Sequence, residues 1–113
     1  MTEPGYLLVS ASYFVETAER ARELGLDGRA HHLIDLERIP GGDWRERQRR
    51  LDHVLGDAAR AAAALEIPGG RDGVELVLRI SFISDAHEQL AYALTSEFLG
   101  EWAALGGVIH IDH

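Results

Sequence analysis

The stretch LDHVLGDAARAAAALEIPGGRDGVELVLRISFIS, Leu51–Ser84, changes its hydrophobic period halfway along, and that change decides the fold class. Leu51, Val54, Leu55, Ala58, Ala62 and Leu65 recur at the i, i+3, i+4, i+7 spacing of one helix stripe. After the breaker Pro68-Gly69-Gly70 the period falls to two. Val74, Leu76, Leu78, Ile80 and Phe82 then share one face, and Glu75, Arg79 and Ser81 the other. A strand with one buried face therefore follows an amphipathic helix.

Working upstream, Pro40-Gly41-Gly42 interrupts the chain and Asp43 stands as an N-cap, with Glu46 at capping-box spacing before the long helix. Arg29–Ile39 (RAHHLIDLERI) contains Leu33, Ile34, Leu36 and Ile39 without a clean period and is read as a strand at a sheet edge in preference to an irregular segment. Before it, VETAERARELGLDG places Val15, Ala18, Ala21 or Arg22, and Leu24 at helical spacing, with Gly25 or Gly28 as the stop. Tyr6–Phe14 (YLLVSASYF) alternates, with Leu7, Val9, Ala11 and Tyr13 opposite Ser10 and Ser12, and reads as the first strand. Tyr6 and Leu8 fall on the face away from Leu7 and Val9, which suggests a second covered face or an interface.

Downstream, Asp85–Leu94 is a loop or a second short strand. Thr95 or Ser96 caps a helix whose apolar side is Phe98, Leu99, Trp102 and Leu105, and Gly106-Gly107 stops it. Trp102 is read as core. Val108–Asp112 closes the chain as a strand, with Ile109 and Ile111 on one face and His110 and Asp112 on the other. The expected fold is a single α+β domain over residues 1–113, in the order β-α-β-α-β-α-β, with helices packed on a small mixed or antiparallel sheet.

Composition narrows the chemistry. A chain of 113 residues with 46% hydrophobic and 27% charged side chains has the makeup of an ordinary globular core. No apolar run approaches the roughly 20 residues that cross a bilayer, and Met1-Thr2-Glu3-Pro4-Gly5 lacks the basic start and apolar stretch of a secretory signal, so a cytoplasmic protein without a membrane partner is expected. There is no cysteine, which excludes disulfides, thiolate metal sites and a cysteine nucleophile. Lysine and asparagine are absent too, a bias that a GC-rich bacterial genome explains. The net charge of −8 repels polyanions and favours a basic partner, so nucleic acid is not expected.

No sequence pattern assigns catalysis or a cofactor. The six histidines, with His31-His32 and His110-Ile111-Asp112-His113 foremost, supply imidazole and carboxylate for a metal, but no HExxH helix is present and neighbouring strand residues such as His31 and His32 point to opposite faces. Ser10, Ser12, Ser81 and Ser84 lie in no GxSxG elbow. The glycine pairs follow no phosphate-binding pattern. Glu16, Glu19, Glu23, Asp52 and Asp57 fall on outer helix faces.

The remaining candidate is DWRERQRR, Asp43–Arg50, where Trp44, Arg45 and Arg49 combine the residue types that anchor protein interfaces, with Arg50 one position off; the alternative for Trp44 is a staple onto the core. Asp43, Glu46 and Asp52 interrupt this basic run, which argues against a nucleic-acid groove.

The ending LTSEFLGEWAALGGVIHIDH, a capped helix, a glycine stop and an alternating acidic strand, resembles a group of small bacterial domains of unknown function that close on "lspelLaeLaelG" and "eldidiY". The likeness runs loosely back to Tyr6, but the threonine–tryptophan–glycine stretch usual after the first helix is replaced by RAHHLIDLERIPGGDW, where only Trp44 corresponds. The resemblance implies an α+β fold without known enzyme activity or cofactor, and compact acidic domains of this look include immunity proteins that neutralise toxins.

The function expected is thus a non-enzymatic protein-binding domain, of immunity or accessory type, presenting an acidic surface to a basic protein. A small metal- or ligand-dependent enzyme using His31, His32, His87 or His110 is the first alternative. A structural homodimer joined through the Tyr6–Leu8 face is the second.

Overall fold

The first strand, β1 (Tyr6–Val15), is rich in β-branched and aromatic residues, and alternation splits it into two faces. Leu7, Val9, Ala11, Tyr13 and Val15 are buried, and the side chains between them form the other face. The structure, a computed structural model, describes residues 5–26, 28–67, 73–83 and 92–112. Its elements follow in the order β1, α1 (Ala18–Glu23), β2 (Ala30–Pro40), α2 (Trp44–Ala63), β3 (Val74–Ile83), α3 (Ser96–Ala104) and β4 (Gly107–Asp112). The α+β order read from the sequence is the order observed.

The strands form one sheet in the order β2-β1-β3-β4, and the sheet is mixed: β1 pairs antiparallel with β2 and with β3, while β3 and β4 run parallel. A parallel pair needs a crossover, which α3 supplies between β3 and β4. Because β2 and β3 flank β1 and both oppose it, α2 carries the chain across β1. All the buried apolar residues of the helices, among them Ala21, Leu51, Leu55, Ala58, Phe98 and Trp102, join one cluster with Leu7, Val9, Leu78 and Ile80. The three helices therefore cover the same face of the sheet. Each large aliphatic side chain buried there contributes about 1.5–3 kcal/mol.

Two local boundaries differ from the sequence reading. Val15 is the last residue of β1, paired with Val74, and the first helix begins only after Thr17, whose side chain accepts from Arg20 N at 3.0 Å. The long helix stops at Ala63, short of Leu65, although its stripe of Leu51, Val54, Leu55, Ala58 and Ala62 is buried as the spacing predicts. Pro68-Gly69-Gly70 and most of Asp85–Leu94 lie outside the described residues; Tyr92, Ala93 and Leu94 are neither helix nor strand.

The missing period of β2 has a structural cause. Its register against β1 shifts between Val9 and Ala11, and again between Ala11 and Ser12, each shift placing one extra residue in β2. Its apolar residues thus change face along the strand, and no single period describes them.

The α3–β4 corner rests on a tryptophan and two glycines. Gly106 takes φ +76, the left-handed turn that ends the helix. Gly107 then passes so close under the Trp102 indole that a Cβ there would lie 2.6 Å from ring atoms Cδ1 and Cε2. Trp102 is 1% exposed, and its Nε1 donates to Val108 O at 3.0 Å, fastening the helix to the last strand. Leu99, expected on the apolar side, is instead 40% exposed, because the buried side of this short helix narrows to Phe98 and Trp102.

The opposite face of the sheet carries no described helix. It presents Tyr6, Leu8, Ser10, Ser12 and Phe14 from β1, with Val77, Arg79, Ser81 and Ile83 from β3, and Val108, His110 and Asp112 from β4. Tyr6, Leu8, Val77 and Ile83 all stand outside the core cluster. Among the described residues, no helix is long and apolar enough to cross a membrane.

Candidate functional site

The start of α2 is built from its cap. Asp43 is extended at φ −68 and ψ 127, and its carboxylate accepts from Arg45 N at 3.2 Å, which fixes Trp44 as the first helical residue. Trp44 is 60% exposed, so it does not staple the helix to the core, and the Arg45 guanidinium lies 5.4 Å over its ring. Glu46, at capping-box spacing, engages Arg49 instead, at 2.9 Å. Both partners of that pair are exposed, so it adds little stability.

Arg47 is the exception in this charged run. It is buried, one helical turn before Leu51 on the inner stripe, and donates to Gly41 O, tying the helix to the loop that precedes it. Of the three residues singled out by sequence, Trp44 and Arg45 form one exposed pair. Arg49 lies a turn further on, on the wall of a separate cleft.

That cleft, about 640 Å³, separates α2 from the edge strand β2. Arg49, Arg50 and His53 line one wall, Asp35 and Glu37 the other, and Leu33, Ile34, Ile39 and Val54 give it apolar surface. His53 Nε2 stands 3.4 Å from Asp57, which also pairs with Arg60.

On the other side of α2, a groove of about 720 Å³ runs between α2 and α3. Leu55, Ala59, Ala63, Phe98 and Leu105 supply its apolar lining, and Asp52, Glu97 and Glu101 are the carboxylates along it, with Arg60 as the cation. Its geometry is set locally. Gln48 grips the backbone of Ala93 from both sides, donating from Nε2 to Ala93 O and accepting at Oε1 from Ala93 N, each at 2.8 Å, and it also donates to Asp52 at 2.9 Å. Two residues later Thr95 caps α3, accepting from Phe98 N at 3.2 Å. The chain entering α3 is thereby held against α2, and burial pushes the neighbouring Tyr92 phenol above its usual pKa.

The histidines do not converge. His31 pairs with Tyr13, its ring 5.0 Å away, on the helix side of the sheet, whereas His32 Nδ1 lies 3.0 Å from Ser12 Oγ on the open side. His110 is across from Arg79, and His53 sits on α2. His87, His113 and Ser84 lie outside the described residues. Among the described residues no three His, Asp or Glu side chains cluster as metal ligands would.

Ser12 and His32 make a contact of the kind that activates a nucleophile, but the setting does not suit acyl transfer. Ser12 is 7% exposed, and β1 is paired along both edges, which ties its backbone N–H groups into ladders rather than an oxyanion hole. Ser81 Oγ donates to Asp112 Oδ2 at 3.4 Å, and Arg79 Nε lies 3.4 Å from the same oxygen, a cross-strand cluster at the sheet edge.

The acid-lined groove escaped the sequence reading because its two sides come from helices more than thirty positions apart. The only sequence signal is that Asp52, Glu97 and Glu101 flank apolar stripes on both helices. Compared with protein-family models, with curated proteins and with solved structures, the chain finds no match.

Proposed function

We propose that this domain is a protein-binding module without chemistry of its own, which receives a basic partner in the groove between α2 and α3. The observation that carries this reading is the pairing of apolar lining and carboxylate border in that groove. An amphipathic partner segment would bury its apolar side on Leu55, Ala59 and Phe98 and set arginine or lysine against Asp52, Glu97 and Glu101. The overall charge of −8 supports the same partner by steering it at long range. Neutralising a toxin, as an immunity protein does, or serving a larger assembly as an accessory subunit are both roles of this kind. The exposed Trp44–Arg45 pair lies on the same helix and offers a second anchor.

The test is affinity capture from native lysate at low and moderate salt, comparing the natural chain with a variant carrying Asp52→Asn, Glu97→Gln and Glu101→Gln. One stoichiometric partner, rich in basic residues, should be held at low salt, weakened by salt and lost by the variant. A partner held equally by both chains would refute the groove, and capture of nothing by the natural chain would refute the binding reading.

A further inference from the structure

We propose that the open face of the sheet is a two-fold interface between copies of this chain, with the axis running along the strands between β1 and β3. This goes beyond the groove reading and does not depend on it.

The argument starts from register. Across the two central strands, Tyr6 stands beside Ile83, Leu8 beside Ser81, Ser10 beside Arg79 and Ser12 beside Val77. A two-fold axis between these strands, parallel to them, keeps each row at its height and exchanges its left and right members. The second copy therefore sets its Leu8 over Ser81 and its Arg79 over Ser10, whereas Val77 and Ser12 in the next row are each only 7% exposed and add little to the contact. Leu8 and Arg79 each meet a serine, and Tyr6 meets Ile83, so this end of the face interdigitates with itself. A random face has no reason to alternate large against small about its own midline.

Charge follows the same symmetry. In the Leu8–Ser81 row, Arg38 lies at the β2 end and Asp112 at the β4 end. The axis exchanges them, so each Arg38 lies over the other copy's Asp112. Arg38 already lies over the Tyr6 ring, its Cζ 3.9 Å from the ring centre, which holds the guanidinium at the face. Asp112 remains 57% exposed although Arg79 lies 3.4 Å away. The match lapses toward the far rim, where His32 would meet Val108 and Phe14 would meet Glu75.

The apolar content points the same way. A sheet with one wet face normally fills it with polar residues. Here Phe14, Ile83 and Val108 are 42%, 38% and 38% exposed, and none of them belongs to the core cluster. A second copy of the sheet, about 10 Å away, is the partner whose shape and charge this face already matches.

Sedimentation of the purified chain on the order of 100 µM should give twice the 12.5 kDa protomer mass. Leu8→Arg drives a cation and extra length against Ser81 of the second copy and should weaken association at least roughly a hundredfold. Leu99→Arg, on the helical side, should leave the mass unchanged. Arg38→Glu should weaken the dimer about tenfold, and adding Asp112→Arg should recover part of that loss. Circular dichroism confirms that each variant keeps its fold, since none of these side chains belongs to the core. A monomer at that concentration overturns the proposal. So does a dimer that survives Leu8→Arg, one broken by Leu99→Arg, or a charge reversal with no rescue.

Discussion

Gly107→Ala adds one methyl group where the structure leaves no room for it. The new Cβ would crowd Nε1 of Trp102 most closely and lie 2.6 Å from Cδ1 and Cε2, so the ring must retreat about 1 Å to reach ordinary contact. The indole is 1% exposed and packed at 5.7 Å centroid distance on Phe98, so it cannot retreat freely. Overpacking of this kind costs about 1–3 kcal/mol. Dragging Nε1 off Val108 O forfeits about 1 kcal/mol more, and the stiffer unfolded chain returns about 0.5 kcal/mol. The net loss is about 1.5–3.5 kcal/mol, a fall in Tm of roughly 6–14 °C for a domain of this size. Gly106→Ala is the internal comparison: φ is +76 and nothing lies within 4 Å, so only backbone strain of about 1 kcal/mol applies. Thermal unfolding of both variants decides the matter. The steric reasoning fails if Gly107→Ala costs no more than Gly106→Ala. It fails equally if Trp102→Phe, which thins the ring, does not make the Gly107→Ala cost smaller.

Three further outcomes are expected. Thr95→Ala removes the cap of α3 and should cost about 1 kcal/mol in urea unfolding, while Thr95→Ser should cost under half of that; equal losses would show that the hydroxyl is not the cause. The Tyr92 phenol is raised by burial, so the neutral form stabilises the fold fully below about pH 10 and that contribution is lost as pH rises through the higher folded value; Tyr92→Phe should flatten the alkaline decline of Tm, and an unchanged decline would refute it. Trp44→Ala, at a 60% exposed position, should change stability by less than about 0.5 kcal/mol, so that any accompanying loss of partner capture reports binding; a larger stability change would place Trp44 in the core after all.

The legible part of this fold is the part with one face buried along its whole length. β1 and β3 each lie between two strands with one face on the helices, so alternation names their inner residues correctly. The α2 stripe was legible for the same reason. β2 was not, because its two bulges are set by the partner strand and leave no trace in a one-dimensional period. The start of α1 was misread since Val15 suits strand and helix equally, and pairing with Val74 decides it. Parallel pairing of β3 with β4 depends on where α3 returns the chain, which no local pattern encodes. As for the candidate site, Trp44 and Arg45 lie where expected, whereas the burial of Arg47 was readable only by extending the Leu51 and Leu55 stripe one turn upstream through a charged run. The groove and the open face both arise from juxtaposition, and composition alone gave only their charge.

The position of β1 at the centre of the sheet also constrains how the chain reaches its structure. β1 is made before β3, yet β3 pairs Tyr6 with Ile83 and Val15 with Val74, so these contacts close over sequence separations of 59 to 77. Until β3 arrives, β1 has only bulged β2 beside it, and a two-stranded sheet is marginal in water. Such non-local pairing places folding in the slower, millisecond-to-second range. Synthesis would thus leave the apolar stripe Leu7, Val9, Ala11 and Tyr13 waiting until β3 has been made, open to any chaperone or stray strand that meets it before its own partner does.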